Sequence, residues 1–571
     1  MFSGCVLSVP ALVASEKDGS HTSLPFRWGA ANMIKKERVC VIGAGMSGLI
    51  AMKELLERGH DVICYEKELR EGGVFNFPTG VAYDDMRLTV SQHFMCFTSM
   101  SAPPQEKREL WTRKQYAEYL HTFAERFDLF RRIKFDTEVT GIELYQGSQV
   151  RISCRHGAEK YERMFDAVAV CRGAFRADAP RMPAIDGLIN FPGELIHSGT
   201  YKDPESLRGM HVLCIGMGET SADVTLQISS VAASCTLSMR SFPEIQKRHH
   251  GPDRRTTDVD STRLFHWMSM EQRKDFYAFK RGFRDTKNLT DHDRLVYEWN
   301  RKSGGLRSLQ KNDDFVDNVI NGKIQVRAPA NVTRIEGRTA IFDDGSTLEV
   351  DAIVFCTGYE ESSIPNDWIK DVEIPDVRRL YKHAFHPDLG RRIAFFGWAR
   401  PRQGGLPALS ELLARYFSLL CSGERKLPDK DEMKRMIIED CAREEEWFSN
   451  SRRTRSLVHY TQYLDDLAEL IGCLPRLEDH LNDPELLAHL ICSSNIGLSY
   501  RLQGPSAFPE IAREACVSAP IADPYVAIDK FIDYALEQRV DPDLRNSVAT
   551  VVREYLTTHT TDMPSTEDWE R

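Results

Sequence analysis

The sequence contains 14 cysteines, but no C-x-x-C pair. Scattered single cysteines are typical of reduced thiols in a cytosol-like compartment, and they form neither a disulfide framework nor a zinc site. We therefore expect a cytoplasmic protein without a bound metal.

Long apolar runs and an excess of positive charge are also missing. No run reaches the roughly 18 apolar residues that cross a bilayer, so we expect no membrane span. The formal net charge of -10 argues against nucleic acid as a partner. The apolar segment 5–14 lacks a basic flank and is broken by Pro10, so we expect no signal peptide.

The most informative feature that is present is a glycine-rich motif, in which Gly43, Gly45 and Gly48 fit G-x-G-x-x-G. An apolar strand precedes it, a helix is predicted over 47–57, and a second strand follows at 61–66. This β-α-β context predicts a dinucleotide site, which the motif alone would indicate only weakly. The glycines leave room for a tight turn, a pyrophosphate and close helix packing.

Glu66 closes the second strand and indicates which dinucleotide binds. A carboxylate there accepts hydrogen bonds from ribose hydroxyls and repels a 2′-phosphate. The first motif therefore predicts FAD and disfavours NADPH. The alternative is a glycine cluster at a helix start with no ligand.

A second unit of the same kind has Gly216, Gly218 and Ser221 as its small residues. Its second strand ends at Arg240, and a cation there suits the 2′-phosphate of NADPH. The alternative is that Arg240 is an ordinary surface arginine. Two dinucleotide sites in one chain favour a flavoprotein that a nicotinamide cofactor reduces.

Between the two units, Phe191, Gly193, His197 and Tyr201 fit F-x-G-x-x-x-H-x-x-x-Y. This pattern resembles the identifying motif of the flavin-containing monooxygenases. The related Baeyer–Villiger monooxygenases usually close the motif with Trp, so Tyr201 favours the branch that oxygenates amines and sulfides.

Further marks of this family follow in order and extend the resemblance over about residues 36–515. They are Gly72 and Gly73 of the flavin loop, a strand at 351–359 that returns to the flavin and includes Thr357 and Gly358, and late segments at 400–415 and 500–505.

The resemblance implies an α/β fold with two Rossmann-like dinucleotide-binding domains, a helical insertion and a helical C-terminal region. It implies that NADPH reduces FAD and that the reduced flavin forms a flavin hydroperoxide with O2. A nitrogen or sulfur of a small molecule, such as an amine or an amino acid, then takes one oxygen atom. His197 and Tyr201 would position NADPH and the linker, with a purely structural role for His197 as the alternative. Such enzymes are often homodimers, and the sequence leaves the oligomeric state open.

The domain boundaries follow from changes in sequence texture along a chain too long for one core. They are a flexible extension at 1–32, the FAD-binding domain at 33–175 and 335–460, the NADPH-binding domain at 176–334 with its insertion at 241–312, and the helical C-terminal region at 461–571.

Two positions near the expected reactive edge of the flavin depart from the family pattern. Counting back from Phe97, the active-site amide position carries Thr89, and the nearest amide is Gln92. We predict Gln92 and Thr89 as the catalytic positions, either with Gln92 replacing the usual asparagine or in a remodelled site. Glu219 also replaces a common asparagine in the second motif.

Arginines in the insertion and the late loop bear on the substrate. They include Arg248, Arg254, Arg255, Arg400 and Arg402. Guanidinium groups pair with carboxylates, so these residues favour an amino acid oxidised at nitrogen, with a solvated charged surface as the alternative. Three other functions stay open: Baeyer–Villiger oxygenation of a ketone, release of hydrogen peroxide by an NADPH oxidase, and nucleotide binding without catalysis.

Overall fold

The computed structural model describes most of the chain. The described residues are 35–145, 149–173, 175–250, 254–282, 289–303, 309–361, 369, 372, 374, 377–448, 455–522, 530–537 and 539–559. The extension expected at 1–32 lies outside them. The α/β fold with two dinucleotide-binding units, a largely helical insertion and a helical C-terminal region is confirmed.

The first parallel sheet carries the first glycine motif. Its central strands are apolar and buried, as is usual for parallel sheets. In spatial order, the strands are Ile393–Phe395, Ala167–Val170, Arg38–Ile42, Asp61–Tyr65 and Ile133–Lys134. The helix Met46–Glu57 connects two neighbouring strands, which confirms the first predicted β-α-β unit.

The second parallel sheet carries the second motif. In spatial order, its strands are Gln325–Arg327, Ser234–Ser238, His211–Ile215, Ala352–Phe355 and Glu194–His197. The helix Glu219–Ser229 follows the motif, as predicted.

One strand belongs to the second sheet, whereas the sequence predicted that it would return to the first. Ala352–Phe355, expected to return to the flavin domain, pairs in parallel with His211–Ile215 of the second sheet. The return to the first sheet is made later, by Ile393–Phe395 beside Ala167–Val170. Grouping this strand with the first unit from residue 335 onward is therefore wrong, because its hydrogen bonds join it to the second sheet.

Each unit also has a small antiparallel sheet, and a further antiparallel pair connects the two units. The first unit carries Glu138–Tyr145, Gln149–His156 and Glu159–Phe165; the second carries Val332–Glu336, Thr339–Phe342 and Thr347–Glu349; and the linker pair is Phe175–Pro180 with Tyr359–Glu361. The turn at Asp344-Gly345 joins Thr339–Phe342 and Thr347–Glu349 in a hairpin.

The insertion and the C-terminal region are mainly helical and share a hydrophobic core. The insertion has the strands Glu244–Gln246, His249–His250, Arg255–Thr256 and Leu309–Lys311, and the helices Arg263–Trp267, Met270–Gly282 and Asp291–Ser303, followed by Phe315–Ile320.

The remaining elements complete both ends of the first unit and the C-terminal region. They are the helices Gln92–Met95, Arg113–Arg126, Leu406–Ser422, Lys430–Trp447, Tyr460–Ile471, Pro484–Cys492, Pro509–Ser518, Phe531–Glu537 and Pro542–His559, and the paired strands Arg400–Pro401 and Leu457–Val458. Among the described helices, none is both long and apolar enough to cross a membrane.

A buried charge cluster joins the C-terminal region to the first unit. Arg501 contacts Glu54 Oε1 at 2.9 Å and Glu411 Oε1 at 2.6 Å through Nη2. Its Nε donates to Thr98 Oγ1 at 2.7 Å. Because the charges are paired and hydrogen-bonded, the cluster holds the C-terminal segment around Arg501 against the helices Met46–Glu57 and Leu406–Ser422.

The described cysteines are all free thiols, and each is buried or half-buried. This agrees with the reduced state expected from their spacing.

Candidate functional site

The first glycine loop leaves no space for side chains where it turns. Gly43 has φ +98°, and a Cβ atom on it would lie 2.8 Å from the carbonyl oxygen of Cys171. A Cβ atom on Gly48 would lie 1.9 Å from the carbonyl oxygen of Gly43. The loop can therefore fold this closely over the strand end only with glycine at both positions.

The flavin loop packs directly against the first glycine loop. The Gly72 N–H donates to the carbonyl of Ala44 at 3.0 Å. A Cβ atom on Gly73 would lie 3.3 Å from the Cα atom of Gly45, so the two backbones are in contact. Both Gly72 (φ +102°) and Gly73 (φ +57°) adopt left-handed backbone conformations. The structure thus brings together the two segments predicted to bind FAD.

Glu66 lies at the end of its strand, as predicted, and is buried. Its two carboxylate oxygens accept the N–H groups of Ala44 at 2.6 Å and Glu68 at 2.9 Å. Burial raises the pKa of Glu66, while these two hydrogen bonds oppose the rise. Each carboxylate oxygen retains a lone pair, so the residue can still accept a ribose hydroxyl and fits FAD.

The second glycine loop has a different shape. A Cβ atom on Gly216 (φ +106°) would lie 2.6 Å from the carbonyl oxygen of Cys356, whereas one on Gly218 would meet no protein atom within 4 Å. Ser221 Oγ donates to the Gly216 carbonyl at 2.6 Å and closes the loop. Space next to Gly218, at the start of a helix, fits the phosphates of a dinucleotide.

Arg240 follows the second strand of this unit and is exposed. Within the described residues it makes no hydrogen bond or ion pair. Its position fits the predicted contact with a 2′-phosphate.

Asp223 is a buried junction that the sequence analysis missed. It accepts hydrogen bonds from Tyr83 Oη at 2.5 Å, Asn312 Nδ2 at 2.6 Å, and Arg248 Nη2 at 2.9 and 2.7 Å. Tyr83 belongs to the FAD-binding unit and the other two residues to the insertion region. Asp223 follows Glu219 by four residues on one helix, and that spacing was the available signal.

His197 and Tyr201 hold the linker between the sheets. His197 accepts the Gly199 N–H at Nδ1 (3.1 Å), which leaves Nε2–H to donate to the Gly358 carbonyl (3.0 Å). Burial lowers the pKa of His197, so the ring is neutral at pH 7. Tyr201 Oη donates to Gln227 Oε1 at 2.9 Å. These contacts favour the structural role for His197.

The predicted residues Thr357 and Gly358 lie beside this linker. Thr357 Oγ1 donates to the carbonyl of Arg181, and the Arg181 N–H donates to the carbonyl of Gly358 at 2.9 Å. Both residues therefore connect the second sheet to the linker strand Phe175–Pro180.

Gln92 is completely buried, and its amide holds the neighbouring loop. Its Nε2 donates to the Lys107 carbonyl at 2.7 Å, and its Oε1 accepts the Glu109 N–H at 2.6 Å. Thr89 is half-buried, and its carbonyl accepts from Lys311 Nζ at 3.2 Å. The backbone bonds of Gln92 favour a positioning role over contact with a reacting atom.

Several arginines that the sequence offered for a substrate carboxylate bind protein groups. Arg248 is paired with Asp223, and Arg402 contacts Glu244 at 2.9 Å. Arg254 is largely exposed and contacts Asp313 at 3.4 Å. Arg400 Nε donates to Ser456 Oγ at 2.9 Å. A carboxylate clamp made by Arg248 and Arg402 is therefore disfavoured.

A large cavity of about 1370 Å³ lies in the insertion. It extends from Glu244 and Asp260 to Gln403 in the late loop. Gln403 precedes the helix Leu406–Ser422, whose Ser410 Oγ lies 2.9 Å from Ser47 Oγ in the helix that follows the first glycine loop. The cavity thus provides room for a small molecule between the insertion and the late loop.

Comparison with known proteins decides the family. A family model of flavin-binding monooxygenase-like proteins matches residues 36–521. The chain belongs to this family. The assignment confirms the resemblance drawn from the motifs, the fold, and FAD and NADPH as the cofactors.

Individual members of this family differ in what they do. A 4-hydroxybenzoate brominase (decarboxylating) from Marinomonas mediterranea is 35% identical to this chain, over 85% of this chain and 93% of the brominase. Flavin-containing monooxygenase 5 from Homo sapiens is 28% identical, over 82% and 89%. A structure of oxidized steroid monooxygenase bound to NADP has a TM-score of 0.56 at 17% identity, with 77% and 98% covered.

Proposed function

We propose that this flavin-dependent monooxygenase inserts one oxygen atom from O2 into a nucleophilic nitrogen, or sulfur, of a small molecule. The observation that carries the proposal is the contact between the two nucleotide units. Tyr83, which follows the flavin loop, donates to Asp223 on the helix that begins at the second glycine loop. Two dinucleotides bound at adjoining units are suited to hydride transfer between them.

FAD and NADPH, when bound, supply the hydride transfer and the activation of O2. NADPH provides both electrons, one oxygen atom goes to the substrate, and the other leaves as water. The protein orients the cofactors: Glu66 through ribose hydroxyls, Gly218 by leaving room for phosphates, and Arg240 by pairing with the 2′-phosphate.

A nitrogen or sulfur nucleophile is favoured over a ketone by Tyr201, which closes the linker motif in the form typical of amine- and sulfide-oxygenating relatives. A carboxylate-bearing amine, such as an amino acid, is the preferred subclass. Because Arg248 and Arg402 bind protein carboxylates, this subclass requires a different cation in a substrate cavity.

A second candidate function is oxidation of bromide followed by bromination of a phenolic acid. The 35% identity to a 4-hydroxybenzoate brominase, over most of both chains, favours it. In this reaction, one oxygen atom of O2 goes to bromide and the other leaves as water. The oxidised bromine then bonds to a ring carbon, from which the carboxylate leaves as CO2 or a hydrogen leaves as a proton.

Turnover with ¹⁸O2 would separate these functions. The FAD-loaded enzyme is given NADPH and, in separate reactions, free amines, amino acids, a thioether, a ketone, or 4-hydroxybenzoate with bromide. Mass spectrometry follows ¹⁸O and bromine in the products, and a peroxide assay follows uncoupled NADPH oxidation.

We expect one ¹⁸O atom per NADPH in an amine or amino-acid product. A brominated ring would establish the second candidate, and a labelled ester from the ketone would establish a Baeyer–Villiger enzyme. Stoichiometric peroxide with every substrate would contradict oxygen transfer and indicate an NADPH oxidase.

A further inference from the structure

A smaller cavity of about 660 Å³ lies apart from the large one. Its lining comes from three parts of the molecule: His93 with the loop 101–108, the insertion segment 254–259, and the C-terminal region, which contributes Ile496, Leu498, the helix Pro509–Ser518 and the residues that follow it. Its volume suits a small organic ligand. A cavity built from parts so distant in sequence is a product of the tertiary fold.

The walls of this cavity are of two kinds. One is apolar, with Val259, Ile496, Leu498, Ala515 and Pro520. The other is cationic, with Lys107, Arg108, Arg254 and Arg255 against the single acid Glu106. This pairing of an apolar surface with excess positive charge suits a small anion that has an apolar body.

Arg108 is a nearly buried cation of this wall, with its side chain 9% exposed. Its ion-pair partner among the described residues is Asp258, whose Oδ1 lies 3.8 Å from Nη1, beyond hydrogen-bond distance. That Nη1 makes no hydrogen bond within the described residues. A buried guanidinium group with unmade hydrogen bonds is costly, so an acceptor from a ligand would stabilise it.

Both carboxylate oxygens of Asp258 already accept hydrogen bonds from other residues. Its Oδ2 accepts the Ser91 N–H at 2.5 Å, and its Oδ1 accepts Thr256 Oγ1 at 2.5 Å. The acid is therefore satisfied by neutral groups, whereas Arg108 Nη1 has no hydrogen-bond acceptor among the described residues. Arg108 lines the cavity with its charge paired to Asp258 only at 3.8 Å.

His93 lines the same cavity without adding charge at neutral pH. Burial and the nearby Arg108 lower the pKa of His93 to about 4, so its ring is neutral above pH 5. Its Nδ1 is buried and has no hydrogen-bond partner among the described residues. Backbone hydrogen bonds with Pro103 and Pro104 oppose this lowering, so His93 contributes a neutral, partly bonded ring to the same wall.

The cavity is joined to the predicted reactive segment through Gln92. The amide of Gln92 is bonded to the backbone of Lys107 and Glu109, on either side of Arg108. His93 is the next residue along the chain. Gln92 is thus a positioning residue that holds the cationic wall beside the segment 89–92.

From this geometry we propose that the 660 Å³ cavity binds the carboxylate of a small, partly apolar acid, with the Arg108 guanidinium as its main partner. As a substrate site, it rests on the proposed oxygen-transfer function and supplies the cation that Arg248 and Arg402 cannot. As a binding site, it can be tested without any turnover.

The test measures binding of benzoate and of its neutral analogue benzamide to the FAD-loaded enzyme by calorimetry. We expect benzoate to bind at least about tenfold more tightly than benzamide, because charge-assisted hydrogen bonds to carboxylates are strong. Arg108→Gln should remove this preference, and Arg108→Lys should keep part of it. Arg435→Gln, which removes the same charge from an exposed helix position, should leave it unchanged.

Ser518→Trp provides a second variant that leaves the cationic wall intact. Ser518 lines the cavity at the end of a helix, so an indole there should exclude both ligands and weaken binding at least about tenfold. Equal affinities for benzoate and benzamide in the parent enzyme, or a preference that survives Arg108→Gln, would overturn the proposal. Binding of benzoate to Ser518→Trp as tight as to the parent would overturn it as well.

Flavin content and the rate of flavin reduction by NADPH are recorded for each variant. If benzoate binding depends on Arg108 but no substrate receives oxygen, the site stands and the proposed reaction fails. If oxygen transfer to an amine occurs while the affinity for benzoate does not depend on Arg108, the proposed reaction stands and the proposed site fails.

Discussion

Two glycines of the dinucleotide motifs differ in why they lack a side chain: one leaves space for the fold itself, and the other leaves space for a ligand. A Cβ atom at Gly48 would clash with the carbonyl of Gly43, whereas one at Gly218 would meet no protein atom within 4 Å. Both residues occupy a glycine position of a dinucleotide motif. The first is needed for packing of the chain itself, and the second fits close approach of a phosphate.

Gly48→Ala and Gly218→Ala form a matched pair. We expect Gly48→Ala to lower the yield of folded protein and its FAD content, because its methyl group has no space. Gly218→Ala should retain FAD and thermal stability but raise the KM for NADPH roughly tenfold. Flavin absorbance, thermal melting and steady-state kinetics check this, and an unchanged KM in Gly218→Ala would contradict the phosphate assignment.

Arg240 offers a test of the nicotinamide cofactor at one exposed position. Arg240→Ala should raise the KM for NADPH roughly tenfold and leave that for NADH nearly unchanged, since only NADPH has the 2′-phosphate. Steady-state kinetics with both cofactors measure the effect. Arg334→Ala, on an exposed strand, is the control, and equal losses with both cofactors would argue against phosphate recognition.

At the scale of elements, the short helix Gln92–Met95 and the loop beside it form one hydrogen-bonded unit. The sequence analysis singled out Gln92 for the reactive edge of the flavin. Its amide is bonded to the backbone of Lys107 and Glu109, a partnership set by a loop that returns after more than ten residues. No local pattern in the sequence indicates that loop's path.

Gln92→Leu should destabilise this unit by about 1–3 kcal/mol, because the buried N–H of Glu109 and the carbonyl of Lys107 lose their partners. Urea unfolding monitored by circular dichroism measures the free energy. Thr89→Ala is the control at a half-buried position and should change it by less than about 0.5 kcal/mol. Equal stability of Gln92→Leu and the parent would show that the amide does not hold the loop.

Elements with strong local signals were predicted well, and elements defined by distant partners were not. The glycine loops lie between a strand and a helix in the chain itself, so both β-α-β units were evident. The strand Ala352–Phe355 is apolar like the strands of both sheets, and its composition does not indicate which sheet it joins. The burial of Arg108 depends on the insertion and the C-terminal helix, which are distant in the chain. The sequence around residue 108 therefore did not indicate it.

At the scale of the whole molecule, the Arg501 cluster links segments that are hundreds of residues apart. Burial opposes the charged form of Glu54, but Arg501 and Lys53 more than offset this and lower its pKa to about 2. In the unfolded chain the value is near 4.5. The folded state therefore binds fewer protons between these values, and stability from Glu54 is present above pH 4.5 and lost as the pH falls towards 2.

We accordingly expect the free energy of unfolding to fall between pH 5 and pH 3, with a smaller fall in Glu54→Gln. Urea titrations at both pH values measure it. Glu57→Gln, on the same helix but half-exposed, should retain the parent's pH dependence. Identical pH dependence in Glu54→Gln and the parent would rule out Glu54 as a source of the acid sensitivity.

The buried thiols have a consequence for an enzyme that handles activated oxygen. Burial raises the pKa of Cys154 to about 11 and those of Cys96, Cys492 and Cys516 to about 12. Peroxide attacks the thiolate form, which is scarce at neutral pH when the pKa is this high. Leakage of peroxide during unproductive cycles would therefore spare these side chains, and the catalyst would resist oxidative self-inactivation without needing disulfides.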